Sequence, residues 1–545
     1  MAALKIRNSL ELRTTTALDY GTLLQQGVRL LHTYGTTNLF LGSGSGNYTL
    51  TSTNCIGIGS QALVALTSGS NNVCMGANAG TALTTGAENS LIGVNAGAAL
   101  TTQNDHTVLG YGAFRYATSA NKSVAIGALA LAGDGVTPPT GGDNVAVGPE
   151  TMQYFTTAAS CVAVGTQALW HATSATNCIA VGVGALSGDG VTPPTGSNCI
   201  GIGTQSLYSL TSGQQNIGIG HRAMYEILDG QQNIGIGQEA LRECTSGTLN
   251  TGVGTYALAT TSDGYSNAAL GSEALRENTS GAQNVGIGHY ALRYSQTTNN
   301  NVAVGAFALS GDGVTTPTGI QNTAVGFEVL ASYTTGIQNS GLGFQTLTSL
   351  TTGERNTALG VGAGYSNLTG DANVFIGFNA GYSETGSNKL YIANTNTATP
   401  LIAGDFSTAV LTINGDLVVA DEFAIQAGTD NSSTGTLNDI ATTGISFLRF
   451  TGAGAVTITG FADGSNGKVL TIINRTGNVL TINNEDTGSA AANRILTGRG
   501  TSMTFMDDAS ITFQYDVTDS RWNIVSGGDI SKDTTMLKAW SWMGF

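Results

Sequence analysis

Charged residues are scarce in this chain: Asp, Glu, Lys and Arg make up 10% of its 545 residues, against a usual quarter or so. Histidine is limited to His32, His106, His171, His221 and His289, too scattered to assemble a triad or a metal cluster. The six cysteines contain no Cys-x-x-Cys pair, the usual signal of a zinc knuckle or dithiol redox centre. No apolar run approaches the roughly 18 residues that a membrane-spanning helix needs. The stretch MAALKIRNSLELRTTTALDYG lacks the basic, apolar and small-residue zones of a secretory signal, so ordinary export is not expected. A formal charge of −15 disfavours nucleic acid and anionic membrane surfaces as partners.

Glycine is abundant, at 77 residues against 7 prolines, and it is ordered by a repeat. A five-residue phrase, commonly Asn-Ile-Gly-Ile-Gly, occurs twenty times between Asn38 and Gly377; sixteen of the nineteen intervals are 17 residues and three are 21. Such an array of small identical units predicts a solenoid that spans or presents rather than catalyses. With the phrase numbered 1 to 5, position 5 is always Gly and position 4 always apolar, as in Ile58, Val147, Ile219 and Leu270. Positions 2 and 4 alternate with smaller residues, which predicts a short strand whose Ile and Val side chains point into the coil. Position 3 then faces the other way, and it is Gly or Ala in fifteen copies, including Gly57, Ala125 and Gly235. That smallness predicts a second backbone close by, supplied by three identical chains around an axis. The alternative is a single solenoid in which position 3 is small for internal reasons.

After the closing glycine come segments such as SQALVAL and QEALREC, whose Ala-Leu pair is a second apolar anchor on either a strand or a turn of helix. A glycine three residues before most new phrases, as at Gly69, Gly213 and Gly353, marks a bend expected to need positive φ. Position 1 is Asn in fourteen copies, which predicts a ladder of side-chain amides. Cys55, Cys161, Cys178 and Cys199 share that slot and read as small filler. Phe40 and Phe375 break the position-3 rule in the first and last copies, where the repeat array stops. Twenty coils about 4.8 Å apart would extend roughly 95 Å.

The longer intervals carry GDGVTPPTG at Gly133 to Gly141 and Gly188 to Gly196, and GDGVTTPTG at Gly311 to Gly319. Asp134, Asp189 and Asp312 in these insertions are candidate receptor contacts through a cation or sugar hydroxyl, though Asp-Gly before Pro is also ordinary turn chemistry. The organisation expected is a capping or attachment segment at 1–35, a solenoid shaft at 36–381, a transition at 382–420 and a tip domain at 421–545. The fold class is mainly all-β, a parallel β-solenoid of about twenty 17-residue coils followed by an antiparallel β-sandwich. Seven tip strands are expected: ISFLRF, AVTITG, VLTIINR, VLTINN, SMTFMD, ITFQYD and WNIVSG. Trp540 and Trp542, near the end, either seal that domain or touch a receptor. Glu485, Asp486, Asp507, Asp508, Asp516 and Asp519 fall mostly at turns, and no catalytic, metal or cofactor residue is assigned.

The phrases NIGIGQEAL, NVAVGAFAL and NTAVGFEVL resemble the glycine-rich repeats of trimeric adhesin heads and, more closely, those of bacteriophage tail fibres. SNKLYIANTNTATPLIAGDFST with LTINGDL is similar to the transition that follows such repeats, and GKVLTIINRTGNVLTINN through ITFQYDVTDSRWNIVSGG to a distal β domain of phage structural proteins. The resemblance implies a homotrimeric virion fibre, assembled in the host cytoplasm and working outside the cell. Its N-terminus would meet a tail or baseplate protein and its C-terminal tip a bacterial surface glycan or protein. It implies no enzyme activity and no cofactor. No Ser-Asp with a downstream Lys marks a self-cleaving chaperone domain at the C-terminus. Alternatives are an adhesin of a cell surface or contractile injection system, and a polysaccharide-depolymerising tailspike.

Overall fold

The computed structural model describes residues 23–25, 28–118, 120, 122–171, 173–188, 190, 193–417, 430–443, 445–465 and 467–528. Among them the only helix is one 3-10 turn at Ala491–Asn493; the remaining regular structure is β. The chain divides into two compact units, the first ending at Asp416 and the second beginning at Leu417.

The first unit is a parallel β-solenoid. Each repeat phrase is a three-residue strand, from β3 (Leu39–Leu41) to β22 (Val374–Ile376), paired in register with the next, as Ile217, Gly218 and Ile219 with Ile234, Gly235 and Ile236. β-Branched residues at positions 2 and 4 favour the extended backbone, and the glycine at position 5 ends it. Gly237 has φ +133°, and a Cβ there would lie 2.5 Å from the carbonyl oxygen of Gly254 in the next coil.

The faces are the reverse of those predicted from alternation. In all twenty strands the middle residue is buried and its two neighbours are not. Position 3 is therefore the interior position, and its smallness is internal in origin: the leucine at position 9 of the preceding coil lies on it. A Cβ on Gly218 would sit 3.1 Å from Cγ of Leu207. Alternation identified two faces, but a coil this thin has room for only one large side chain per layer. That place belongs to Leu, leaving Ile and Val outside.

The middle of each repeat is neither strand nor helix but a run of turns with left-handed residues at positions 7 and 9, such as Glu239 (φ 54°) and Leu241 (φ 52°). A left-handed Leu costs about 1–2 kcal/mol, and burying its side chain returns about 1.5–3 kcal/mol. Its N–H is also satisfied, donating to Ala257 O of the next coil at 2.9 Å. The glycines before each phrase are required for a reason other than positive φ: Gly213, Gly247 and Gly353 are not left-handed, but a Cβ would strike the neighbouring coil, 2.7 Å from Gly264 O in the case of Gly247.

The asparagine ladder is present. Asn250 Nδ2 donates to Gly264 O at 2.7 Å and Asn233 Oδ1 at 3.2 Å, while its Oδ1 accepts from the backbone and side chain of Asn267. His106 takes the same slot by placing Nε2 3.0 Å from Ala120 O.

Part of the N-terminal segment, LLQQGVRLL, contributes β1 (Leu23–Gln25) and β2 (Val28–His32), and β2 pairs antiparallel with β3, capping the first coil's edge. Beyond β22, β23 (Lys389–Ile392) adds one more parallel strand before β24 (Ile402–Asp405) and β25 (Val410–Ile413) turn antiparallel.

In the second unit all seven expected strands occur, but the sheets are mixed rather than antiparallel. β26 (Gly435–Leu437), β28 (Val456–Ile458) and β30 (Leu480–Ile482) run parallel in one sheet, joined antiparallel by β32 (Met503–Phe505). β27 (Phe447–Phe450) and β29 (Val469–Asn474) run parallel in the other, followed antiparallel by β33 (Ser510–Asp516) and β34 (Arg521–Gly528). With β31 (Ile495–Leu496) beside β34, successive strands from β26 to β33 alternate between sheets around a core that includes Phe450, Phe461, Phe513 and Trp522, and Trp522 Nε1 donates to Phe461 O at 2.8 Å.

Candidate association and receptor surfaces

With position 3 inside, each strand turns two side chains outward, and in none of the twenty strands is either of them Asp, Glu, Lys or Arg. Leu270 is 52% exposed and Leu342 48%. Position 6, two residues past position 4, is also free of these four residue types throughout. Charge begins at positions 7, 10 and 11, on the turn layer across the coil. There it pairs within itself: Glu273 holds Arg276 at 2.7 Å and Arg293 at 3.0 Å, and Glu239 holds Arg242 at 2.8 Å. The solenoid thus has an apolar strand face and a polar turn face. The sequence signal for this was the absence of charge at positions 2, 4 and 6.

The insertions start at position 11 of their coils. Asp134 Oδ1 accepts from the N–H groups of Val136 (2.8 Å) and Thr137 (2.7 Å), and Asp312 Oδ1 from Val314 (2.9 Å) and Thr315 (2.7 Å). Each carboxylate shapes its own loop, and the backbone donors hold Asp312 below the usual aspartate range. The loops rest on an aromatic ring of the preceding coil: a Cβ on Gly135 would be 3.3 Å from Tyr116 Cζ, and one on Gly313 3.1 Å from Tyr294 Cζ. What they present outward is Val136 and Val314, 85% and 90% exposed. Asp189 lies outside the described residues, as do Trp540 and Trp542.

Most of the second unit's acidic side chains hold local structure. Glu485 takes a two-point contact from Arg521 at 2.6 and 3.2 Å. Asp486 accepts from Gly488 N and Asn483 Nδ2, and these bonds lower its pKa. Asp507 accepts from Gly477 N at 2.9 Å, Asp508 pairs with Arg475, and Asp516 accepts from Thr518 N at 2.7 Å. Asp519 accepts from Arg521 Nη1 only through its backbone carbonyl, at 3.4 Å.

The six thiols are unpaired and buried. Burial pushes Cys244 up to about 12. In the stacked trio, Cys161 and Cys199 are raised by hydrogen bonding to Cys178, which is lowered by receiving both. His32 and His106 are lowered by burial, opposed by their backbone hydrogen bonds. Among the described residues no group of three His, Cys, Asp or Glu side chains converges as a metal site would. No protein family, curated protein or solved structure matches the chain.

Proposed function

We propose that this chain is a structural fibre protein of a phage virion, a homotrimer that spaces a C-terminal β unit from the particle and presents it to a bacterial surface glycan or protein. The observation that carries the reading is the apolar strand face. An uncharged stripe over twenty coils, with Ile, Val, Leu or Met at position 4 of every coil and Ile, Val or Leu at position 2 of thirteen, exceeds what a soluble monomer leaves in water. In a parallel cyclic assembly every level meets its own copy, so a charge would face its like, and a charge-free stripe is the composition such contact tolerates. The trimer contact therefore belongs to positions 2 and 4, with the polar turn layer and insertions outward. Three tips per fibre would convert weak receptor contacts into lasting attachment through effective concentration. The engaged carboxylates Glu485, Asp486 and Asp508 favour adhesion over polysaccharide cleavage.

Light scattering on the purified chain tests the assembly: a mass of three chains is expected, and a mass of one chain overturns it. Incubation with host capsule or lipopolysaccharide tests the role. Binding without release of reducing ends is expected; release would replace the adhesin by a depolymerase.

A further inference from the structure

A repeated stripe poses a problem of its own. Position 4 is Ile, Val, Leu or Met in every coil and position 2 is Ile, Val or Leu in thirteen of the twenty, so sliding one chain by a single coil, about 4.8 Å, preserves most contacts. Register is weakly specified wherever the pattern repeats uniformly. Something aperiodic must fix it.

The bulkiest aperiodic feature lies at position 6. In most coils it is small or polar, as at Ser60, Ala77, Thr166, Thr204 and Ser272. In the four coils closed by Gly326, Gly343, Gly360 and Gly377 it is Phe327, Phe344, Val361 and Phe378, exposed by 38%, 46%, 42% and 53%. Phe327 and Phe344 are stacked, with ring centroids 5.3 Å apart and planes 12° from parallel. Leu342 and Leu359, at position 4 of the same coils, are 48% and 45% exposed. Position 2 of the first three of these coils is Thr323, Ser340 and Thr357, so the large apolar side chains shift here from position 2 to position 6, as in no other run of four coils; Tyr111 is the one other Phe or Tyr at this position. Exposed aromatic surface of this extent marks a contact.

We infer that Phe327, Phe344, Val361 and Phe378 form a register lock, docking against the same residues of two further copies of this chain and fixing the axial alignment of the trimer. The occupant is a second copy because the cluster continues the uncharged stripe, and like meets like at each level only when the chains are aligned. A slip of one coil sets Phe327 against Ala306 or Phe378 beyond the last repeat, leaving a ring uncovered. The inference rests on the trimer reading, and its test separates the two.

Chains carrying I236C are co-assembled with chains carrying V253C, whose substituted sites are both at position 4 and one coil apart, and oxidised; the native thiols are buried and do not compete. In the otherwise unaltered protein the 236–236 disulfide should dominate over the 236–253 one. In the F327S/F344S/F378S background the mass should remain three chains while the 236–253 product rises by about tenfold, because only register is lost. An unchanged cross-linking pattern overturns the register lock and leaves the trimer standing. Loss of the trimer in that background also overturns it, since the cluster then drives association itself. A single-chain mass for the unaltered protein fails the trimer reading first.

Discussion

Phe375 fills the space that a side chain at Gly381 would need: a Cβ on that glycine would lie 2.5 Å from Cε1 of the ring. Gly364, one coil earlier, stands in the same relation to the other edge, at 2.6 Å from Cδ2. Position 9 is glycine in five coils: at Gly46, Gly80, Gly97 and Gly381, in the coils of Phe40, Cys74, Leu91 and Phe375, and at Gly364 in the coil just before the last. Position 3 of one coil and position 9 of the coil before it share one fixed volume: where position 3 is Leu91, Val108 or Phe375, the preceding position 9 is Gly80, Gly97 or Gly364.

The exchange is testable as a double-mutant cycle. G381L should destabilise the solenoid's last coils by about 1–3 kcal/mol through overpacking, and F375A by about 3–5 kcal/mol through the cavity it leaves. F375A/G381L relieves the overpacking, because the alanine at 375 no longer fills the space beside residue 381, and should recover that loss, while part of the cavity loss persists because Gly364 of the preceding coil still lacks the usual Leu. Denaturant unfolding followed by circular dichroism measures it; additive losses would show that the positions do not share space.

Asn250 is a joint in the amide ladder. N250A leaves the Asn267 N–H and the Gly264 carbonyl without that partner, an expected loss of about 3 kcal/mol. N250C should be milder, because Cys161 occupies the equivalent slot. N250D should be worst at neutral pH and recover partly on acidification. Only the protonated acid can donate to Gly264 O, so its folded pKa is raised and its penalty grows as pH rises. A pH-independent N250D would contradict the ladder geometry.

The strand face should tolerate charge internally but not in assembly. I219K/I236K places ammonium groups on outward positions without touching the core, so the circular dichroism spectrum should be unchanged while the mass by light scattering falls to one chain. An intact three-chain mass would move the contact elsewhere.

Asp312 supplies a pH signature. Its folded pKa is depressed by the Val314 and Thr315 amides, so its contribution is present above the unfolded aspartate pKa and lost as pH falls through the folded value. Amide exchange at Val314 and Thr315, corrected for intrinsic rates, should accelerate only on the acid side of the ordinary aspartate range. D312N, which keeps an acceptor oxygen, should flatten that dependence.

The repeat, its strand and the polar insertions were legible from spacing alone, because a 17-residue period with an invariant glycine admits few backbones. Which face was inside was not. Ile217 and Ile219 flanking Gly218 look like inward anchors to any rule that buries the larger residue, and here the rule fails since Leu207 already fills the layer. The covariation of Phe375 with Gly381 carried the answer, but it requires comparing positions six residues apart across many coils. The middle segment was equally opaque: Leu241 at φ 52° contradicts the backbone preference of leucine and follows only from the stacking of neighbours. In the second unit, Phe447–Phe450 and Val469–Asn474 read as strands, yet nothing local says they run parallel.

From Asn233 to Asn284 each ladder asparagine donates backward to the side-chain carbonyl of the one before it, the first acceptor being Asn216. The amide dipoles therefore all point the same way, and hydrogen bonds in such a chain polarise one another. The column has a donor pole and an acceptor pole, so the two growth directions of the coil stack are not equivalent: a nascent coil meets a row of waiting acceptors at one end and of waiting donors at the other. Synthesis from the N-terminus offers each new asparagine an acceptor already in place, giving the folding of this array an intrinsic direction.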